Sequence, residues 1–338
     1  MFKIDFTSAC IFKDAYADVD FDHFIVTITN IVAQDGYNVT VDQRNDNTSL
    51  VLGVADCQIR LHFSRRPLAA DGFRNPLGSR FLQQQDVDFG GIIQSHTQHI
   101  LITVSATGSD GNNFDLGNIF DTDTNDALEN AETTKEVALR LQILHMATLY
   151  ICNYAKPDLI HWTQSEQMFT GEGYMDFINE ELPLSVLLHP YILDEEQEDE
   201  ISAVIVGAEH ALGVSLYVNP TSLSFADLHT MVCAFVNNCR DLGKIPNHGD
   251  TVRLADQWTI NVLRTVAQDS KHPEQVALTV LDTSPVQTPR QPIKVKRDVT
   301  NELSAENPQE MVRNAFLNKK QGSGNLLGRM KHILSKKR

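Results

Sequence analysis

Hydrophobic and polar positions alternate along this chain with two periods, and most of its predicted elements follow from them. Residues 18–34 (DVDFDHFIVTITNIVAQ) set Phe21, Phe24, Ile25, Ile28, Ile31 and Val32 at helical spacing. Asp18 or Asp20 is placed to cap that helix and Gly36 to stop it. Three short strands then follow, Tyr37–Gln43, Ser49–Ala55 and Gln58–Phe63, with turns at Asn45-Asp46-Asn47 and Ala55-Asp56. In the third, Ile59, Leu61 and Phe63 alternate with Arg60 and His62, the pattern of a sheet with one wet face.

The period is lost over residues 65–95, which are rich in Arg, Gly, Pro and Gln. They read as an ordered loop or flap anchored by Phe73, Leu77, Phe81 and Leu82, and as a border to a site, since long loops in folded domains tend to carry function. His99–Ala106 is an apolar strand. A helix is predicted from about Asp126 to Ala155, with Val137, Leu141, Leu144, Ala147, Thr148 and Ile151 along one stripe and Pro157 as its stop. Leu159–Trp162 reads as a strand, Tyr174–Glu181 as a short helix and Ser185–Leu193 as an apolar segment. The acidic run Asp194–Glu200 is a solvated loop. Ile201–Val206 and Ser215–Val218 are paired strands flanking Gly207–Gly213, and Ser224 caps a helix over Phe225–Leu242. Strands Thr251–Leu254, Trp258–Val266 and Val276–Leu281 end the folded part.

No steady strand–helix–strand rhythm runs through this order. It predicts an α+β fold of mixed or antiparallel sheets, with helices packed mainly on one face. The segmentation is 1–64, the flap 65–95, a main α+β unit 96–283, a proline-bearing linker with a short helix over 284–321, and a basic tail, 322–338. No internal repeat is evident in the sequence.

Charge separates the tail from the body. From Pro285 onward there are 12 Lys and Arg against 4 Asp and Glu, leaving 16 basic and 40 acidic groups in residues 1–284. An acidic body repels nucleic acid and anionic membrane. In the tail, Leu326, Leu327, Met330, Ile333 and Leu334 fall on one helical face, and Arg329, Lys331, Lys336, Lys337 and Arg338 carry the charge. That pattern suits an acidic groove on a protein partner first and an anionic membrane surface second. Nucleic acid is a poor match, because no aromatic is present to stack on bases. No apolar run reaches transmembrane length, and Asp5 interrupts any leader, so the expected location is the cytoplasm. Cys10, Cys57, Cys152, Cys233 and Cys239 are odd in number, lack Cys-x-x-Cys spacing and sit among apolar neighbours, as buried thiols do in a reducing compartment.

The stretch AVIVGAEHALGVSLYVNPTSLSFADLHTMVCAFVNNCRDLGKIPNHGDTVRL joins an apolar strand to G-x-E-x-x-L-G, a short strand, a capped helix and H-G-D-T. Together with HILITVSA, the long helix and LIHWTQSEQMF upstream, this order resembles the uncharacterised bacterial domain-of-unknown-function family numbered 4261, over residues of about 51–266. The resemblance implies a bacterial cytosolic α+β domain and no activity.

Catalytic signatures are weak. His161, Trp162, Ser165 and Glu166 follow a predicted strand, but Gln164 and Glu166 flank the serine where a nucleophile elbow needs glycines. Asp121, Asp123, Asn125 and Glu132 match a calcium loop, except that Asp126 stands where the turn requires glycine. Glu209 and His210, with His229, His248 and Asp250, lack zinc-protease spacing. No metal or cofactor is expected. The candidate groove is therefore His161, Trp162, Ser165, Glu166, Glu209 and His210. The favoured function is a non-enzymatic interaction or adaptor protein whose tail recruits a partner. The alternatives are a hydrolase-like or metal-assisted enzyme at that groove, and a peripheral membrane protein held by the tail.

Overall fold

A computed structural model describes residues 5–14, 19–33, 36–45, 48–83, 85–106, 134–193, 200–254, 257–265 and 274–282. The calcium-loop match at Asp121–Glu132, the acidic run 194–199, and the linker and tail beyond Asp282 lie outside the described residues. The elements in order are β1 (Phe6–Phe12), α1 (Phe21–Val32), β2 (Val39–Asn45), β3 (Ser49–Val54), β4 (Cys57–Ser64), α2 (Arg74–Gly78), α3 (Arg80–Gln83), α4 (Phe89–Ser95) and β5 (Gln98–Ala106). They continue as α5 (Thr134–Ala155), β6 (Leu159–Trp162), β7 (Gln167–Thr170), α6 (Gly171–Tyr174), α7 (Leu184–Leu187), β8 (His189–Ile192) and β9 (Ile201–Val206). The last are α8 (Ala208–Leu212), β10 (Ser215–Thr221), α9 (Phe225–Leu242), β11 (Thr251–Leu254), β12 (Trp258–Thr265) and β13 (Gln275–Asp282).

Two sheets result. The first runs β2-β3-β4-β5-β1-β6-β7 with every pair antiparallel, and takes strands from both sides of residues 65–95. The second runs β11-β12-β13-β10-β9-β8 and is mixed, because β10 and β13 are parallel. The fold is α+β, as the pattern predicted. A shared plan underlies both sheets, which no sequence period announces. In the first, β1 leads through α1 to the far edge, and the meander β2 to β5 returns beside β1. In the second, β10 leads through α9 to the far edge, and the meander β11 to β13 returns beside β10. Four meander strands bring the chain back antiparallel; three bring it back parallel.

The helix signals translate into measured contacts. Asp20 caps α1, its carboxylate accepting from the His23 N–H at 3.0 Å, and Phe21, Phe24, Ile28, Ile31 and Val32 are buried along one stripe. Ser224 accepts from the Asp227 N–H to start α9, and Gly243 ends it at φ 63°. β1 carried no such signal. All seven of its residues are buried, so its sequence FTSACIF shows none of the alternation that marks a half-wet strand.

Alternate β1 residues Phe6, Cys10 and Phe12 face the helices, where α5 packs on β1 and β5. α5 also meets α8, which with α9 lies on the second sheet, so a helical layer joins the two sheets in one continuous core. Ala9 and Ile11 face the other way, and with Leu101, Leu159 and Met168 they are covered by Leu68, Phe73, Leu82, Phe89 and Ile93. The segment expected as an ordered loop or flap over 65–95 is thus more helical than its composition predicts. It forms a turn of 3-10 helix over Ala70–Phe73 and three short helices, held to the sheet by its few large apolar side chains. Each such side chain, fully buried, contributes about 1.5–3 kcal/mol. Among the described residues no helix is long and apolar enough to cross a membrane.

Candidate functional site

Ser79 stands between α2 and α3. Its N–H donates to the Pro76 carbonyl at 3.0 Å, and its hydroxyl oxygen accepts from the Phe81 N–H at 3.2 Å, which fixes the start of α3. The same oxygen lies 2.7 Å from Nε2 of His189, the first residue of β8. The other ring nitrogen, Nδ1, is 2.9 Å from the Ser165 carbonyl in the turn between β6 and β7. A carbonyl only accepts, so Nδ1 carries the proton, Nε2 holds the lone pair, and the Ser79 hydroxyl donates to it. Burial pushes the His189 pKa down to about 4, which keeps the ring neutral through neutral pH. Ser79 and His189 are 6% and 2% exposed. One relay of bonds therefore ties together three segments that are far apart in sequence.

The approach to β8 is held as tightly. Gln167 Nε2 lies 2.8 Å from the Leu188 carbonyl and 3.0 Å from that of Ser185. His229 of α9 donates from Nε2 to the Leu188 carbonyl at 2.9 Å. Gly207, at the end of β9, has φ 89°, and a Cβ added there would stand 1.9 Å from the Leu187 carbonyl oxygen. That position requires glycine on both counts.

Beside this latch opens a cavity of about 450 Å³, within the range of small-ligand sites. One wall is Arg74, Asn75, Ser79 and Arg80; the other is β8, His189 to Ile192, with Leu193 just beyond it. Residues 65–83 hold Arg65, Arg66, Arg74 and Arg80 against Asp71 alone, a local reversal of the acidic body. Arg74 pairs with Asp71 at 2.8 Å, both side chains largely in solvent, so that pair is weak and exchangeable. Tyr191 and Leu193 are among the exposed large apolar side chains of the molecule.

The serine–histidine pair meets two requirements of a nucleophilic site, contact and an oriented base. It fails two others. A general base for neutral pH is most effective with a pKa near 7, far above that of His189. The Ser79 oxygen is also engaged by the Phe81 N–H, as a helix cap is. The relay is better built to position β8 against residues 74–80 than to transfer a proton.

The six residues expected to form a groove are not brought together. His161 pairs across β1 with Ala9 and lies on the flap-side face of the first sheet, its ring 5.2 Å from Phe73. Trp162 points to the opposite face, toward Tyr174. His210, on α8, meets Phe6 edge-on at 5.2 Å, so it shares the helical side with Trp162 and is separated from His161 by the thickness of the sheet. Burial pushes both histidines down to about 4 and raises the Glu209 carboxyl. Ser165 and Glu166 do reach the cavity region. Ser165 supplies the carbonyl to His189, its own hydroxyl being buried without a partner. Glu166, at φ 52°, accepts from Asn75 at 3.4 Å. His248 sits in a surface turn, its Nδ1 accepting from the Arg264 N–H. No group of three His, Cys, Asp or Glu arranged to hold a metal occurs among the described residues. All five cysteines are free, four of them buried, with thiol pKa values raised by burial.

Sequence reasoning missed Ser79 and His189, which are joined only by the fold. Its one usable signal was the designation of residues 65–95 as a site border, and five of the cavity-lining residues come from there. No protein-family model, curated protein sequence or solved structure matches this chain.

Proposed function

We propose that this chain is a non-enzymatic interaction protein whose recognition surface is the cavity between residues 74–80 and β8. The observation that carries the reading is the composition of that surface. Arg74, Arg80 and Tyr191 border one cavity over a buried floor held by the Ser79–His189–Ser165 hydrogen bonds. Arginine and tyrosine are the residues that concentrate binding energy at protein interfaces, and a fixed floor spares the ordering cost of binding. The basic tail, residues 322–338, is a second point of attachment in this proposal, supported by its charge contrast with the body. The likeness of residues 51–266 to family 4261 belongs to the same proposal and adds no activity to it.

The test is an affinity pull-down from lysate of the source cells with three baits: the full chain, the full chain carrying Tyr191→Glu, and a chain ending at Thr283. A partner held by the first, lost by the second and weakened with the third is the expected result. The same proteins on all three baits would refute the surface. Labelling of Ser79 by a fluorophosphonate would favour the hydrolase reading instead.

A further inference from the structure

We infer that the cavity receives an extended, acidic segment of a partner polypeptide, added as a strand to the open edge of β8; this rests on the interaction reading above. Among the described residues β8 is the outermost strand of the second sheet. The Leu193 N–H donates to the Ser202 carbonyl at 2.9 Å, which fixes which residues bond inward. Counting back in steps of two, Tyr191 and His189 bond toward β9, while Pro190 and Ile192 turn their backbone outward. Proline has no N–H to lose there, and its presence narrows the edge to one outward amide donor, that of Ile192, between two carbonyls.

The side chains of the same strand complete the case. His189, Tyr191 and Leu193, just past the strand's end, fall on one side of the pleat and Pro190 and Ile192 on the other, and all five border the cavity. Tyr191 is 49% and Leu193 42% exposed, so this face offers apolar surface beside the two arginines. A strand laid against β8 would present alternate side chains to that wall, a carboxylate toward Arg74 and Arg80 and an apolar group toward Tyr191 or Leu193. Main-chain bonds give such a mode its affinity, and the side-chain wall gives it its selectivity. A free phosphate would use the arginines and leave the tyrosine, the leucine and the edge amide idle.

The full chain is used to select from a displayed library of extended octapeptides, and the winners are measured by fluorescence anisotropy. Selected peptides are expected to carry Asp or Glu at one position, with apolar residues two positions away. Affinity should fall at least tenfold for the Arg74→Glu/Arg80→Glu double variant and several-fold for Ile192→Pro, which removes the outward amide at a site where the edge already tolerates proline. Arg74 and Arg80 are exposed, whereas Ile192 packs partly against the core, so the Ile192→Pro result counts only where far-ultraviolet circular dichroism and the urea midpoint are unchanged. Selection without acidic preference, or equal affinity for the double variant, would overturn the inference. Full displacement by millimolar inorganic phosphate would overturn it in favour of a small-anion site. If the pull-down partner is still lost with Tyr191→Glu in those cases, the surface stands and only the acidic strand falls.

Discussion

Acidification should unfold this protein at a pH most proteins tolerate. His99, His145, His161 and His189 are buried and His210 is half-buried, and desolvation holds each folded pKa at about 4 against 6.5 for the exposed ring. Below about pH 6.5 the unfolded chain takes up protons that the folded one refuses, so stability present above that pH is lost as pH falls toward 4. At about pH 5.5 each ring costs roughly 1.4 kcal/mol, and five together roughly 7 kcal/mol, comparable with the 5–15 kcal/mol that a domain usually has. Asp5, Glu180 and Glu209 act in the opposite sense, since burial raises their folded pKa and protonation relieves them; they offset part of the loss. A net loss of at most roughly 7 kcal/mol between pH 7.5 and 5.5 is expected. Urea unfolding followed by the fluorescence of the buried Trp162 and Trp258 measures it, with the m-value as a check on two-state behaviour. His210→Phe should flatten the pH dependence by about a fifth. A stability at pH 5.5 within about 1 kcal/mol of that at pH 7.5 would refute the reasoning.

Three further outcomes are expected. Gly213→Ala carries only the torsional cost of φ 75°, with nothing within 4 Å, whereas Gly207→Ala adds the collision with the Leu187 carbonyl. Urea denaturation should give about 1 kcal/mol for the first and about 3 kcal/mol or more for the second, and equal values would show that the close approach is not limiting. Ser79→Ala leaves His189 Nε2 buried without a donor and should cost about 1–3 kcal/mol, read as a lowered urea midpoint and faster amide exchange in β8. Ser165→Ala deletes a buried hydroxyl that has no partner and should be neutral or slightly stabilising by thermal melting.

Elements whose instructions are local were readable in the sequence. Asp20 and Ser224 cap their helices where expected, and Ala55, at φ 50°, sits in the turn assigned to it. The β3–β4 hairpin and β5 fall within a residue or two of their predicted bounds. What failed was non-local. β1 is buried on both faces, so its pattern is not that of a strand with one wet side. β8 was read only as part of an apolar segment, because its pairing partner and the flap that meets its face come from elsewhere in the chain. The candidate groove failed for a geometric reason: His161 and Trp162 are neighbours in sequence and opposite in space, as the pleat requires. Ser165 and Glu166 were found by their strand-end position, yet the partner of Glu166, Asn75, lies far upstream, and Ser165 reaches Ser79 only through His189 on β8.

The position of β1 has a consequence for how this protein is made. Its seven buried residues lie between β5 and β6, pairing Ser8 with Ile102 and Cys10 with Ile160. A ribosome adding about 5–20 residues per second needs on the order of ten seconds to reach those partners after β1 has emerged. Throughout that interval this interior strand of the first sheet has no native neighbour on either side and carries Phe6, Ile11 and Phe12 in the open. Demand on a nascent-chain chaperone should therefore rise once β1 has emerged and fall once residue 106 has cleared the exit tunnel.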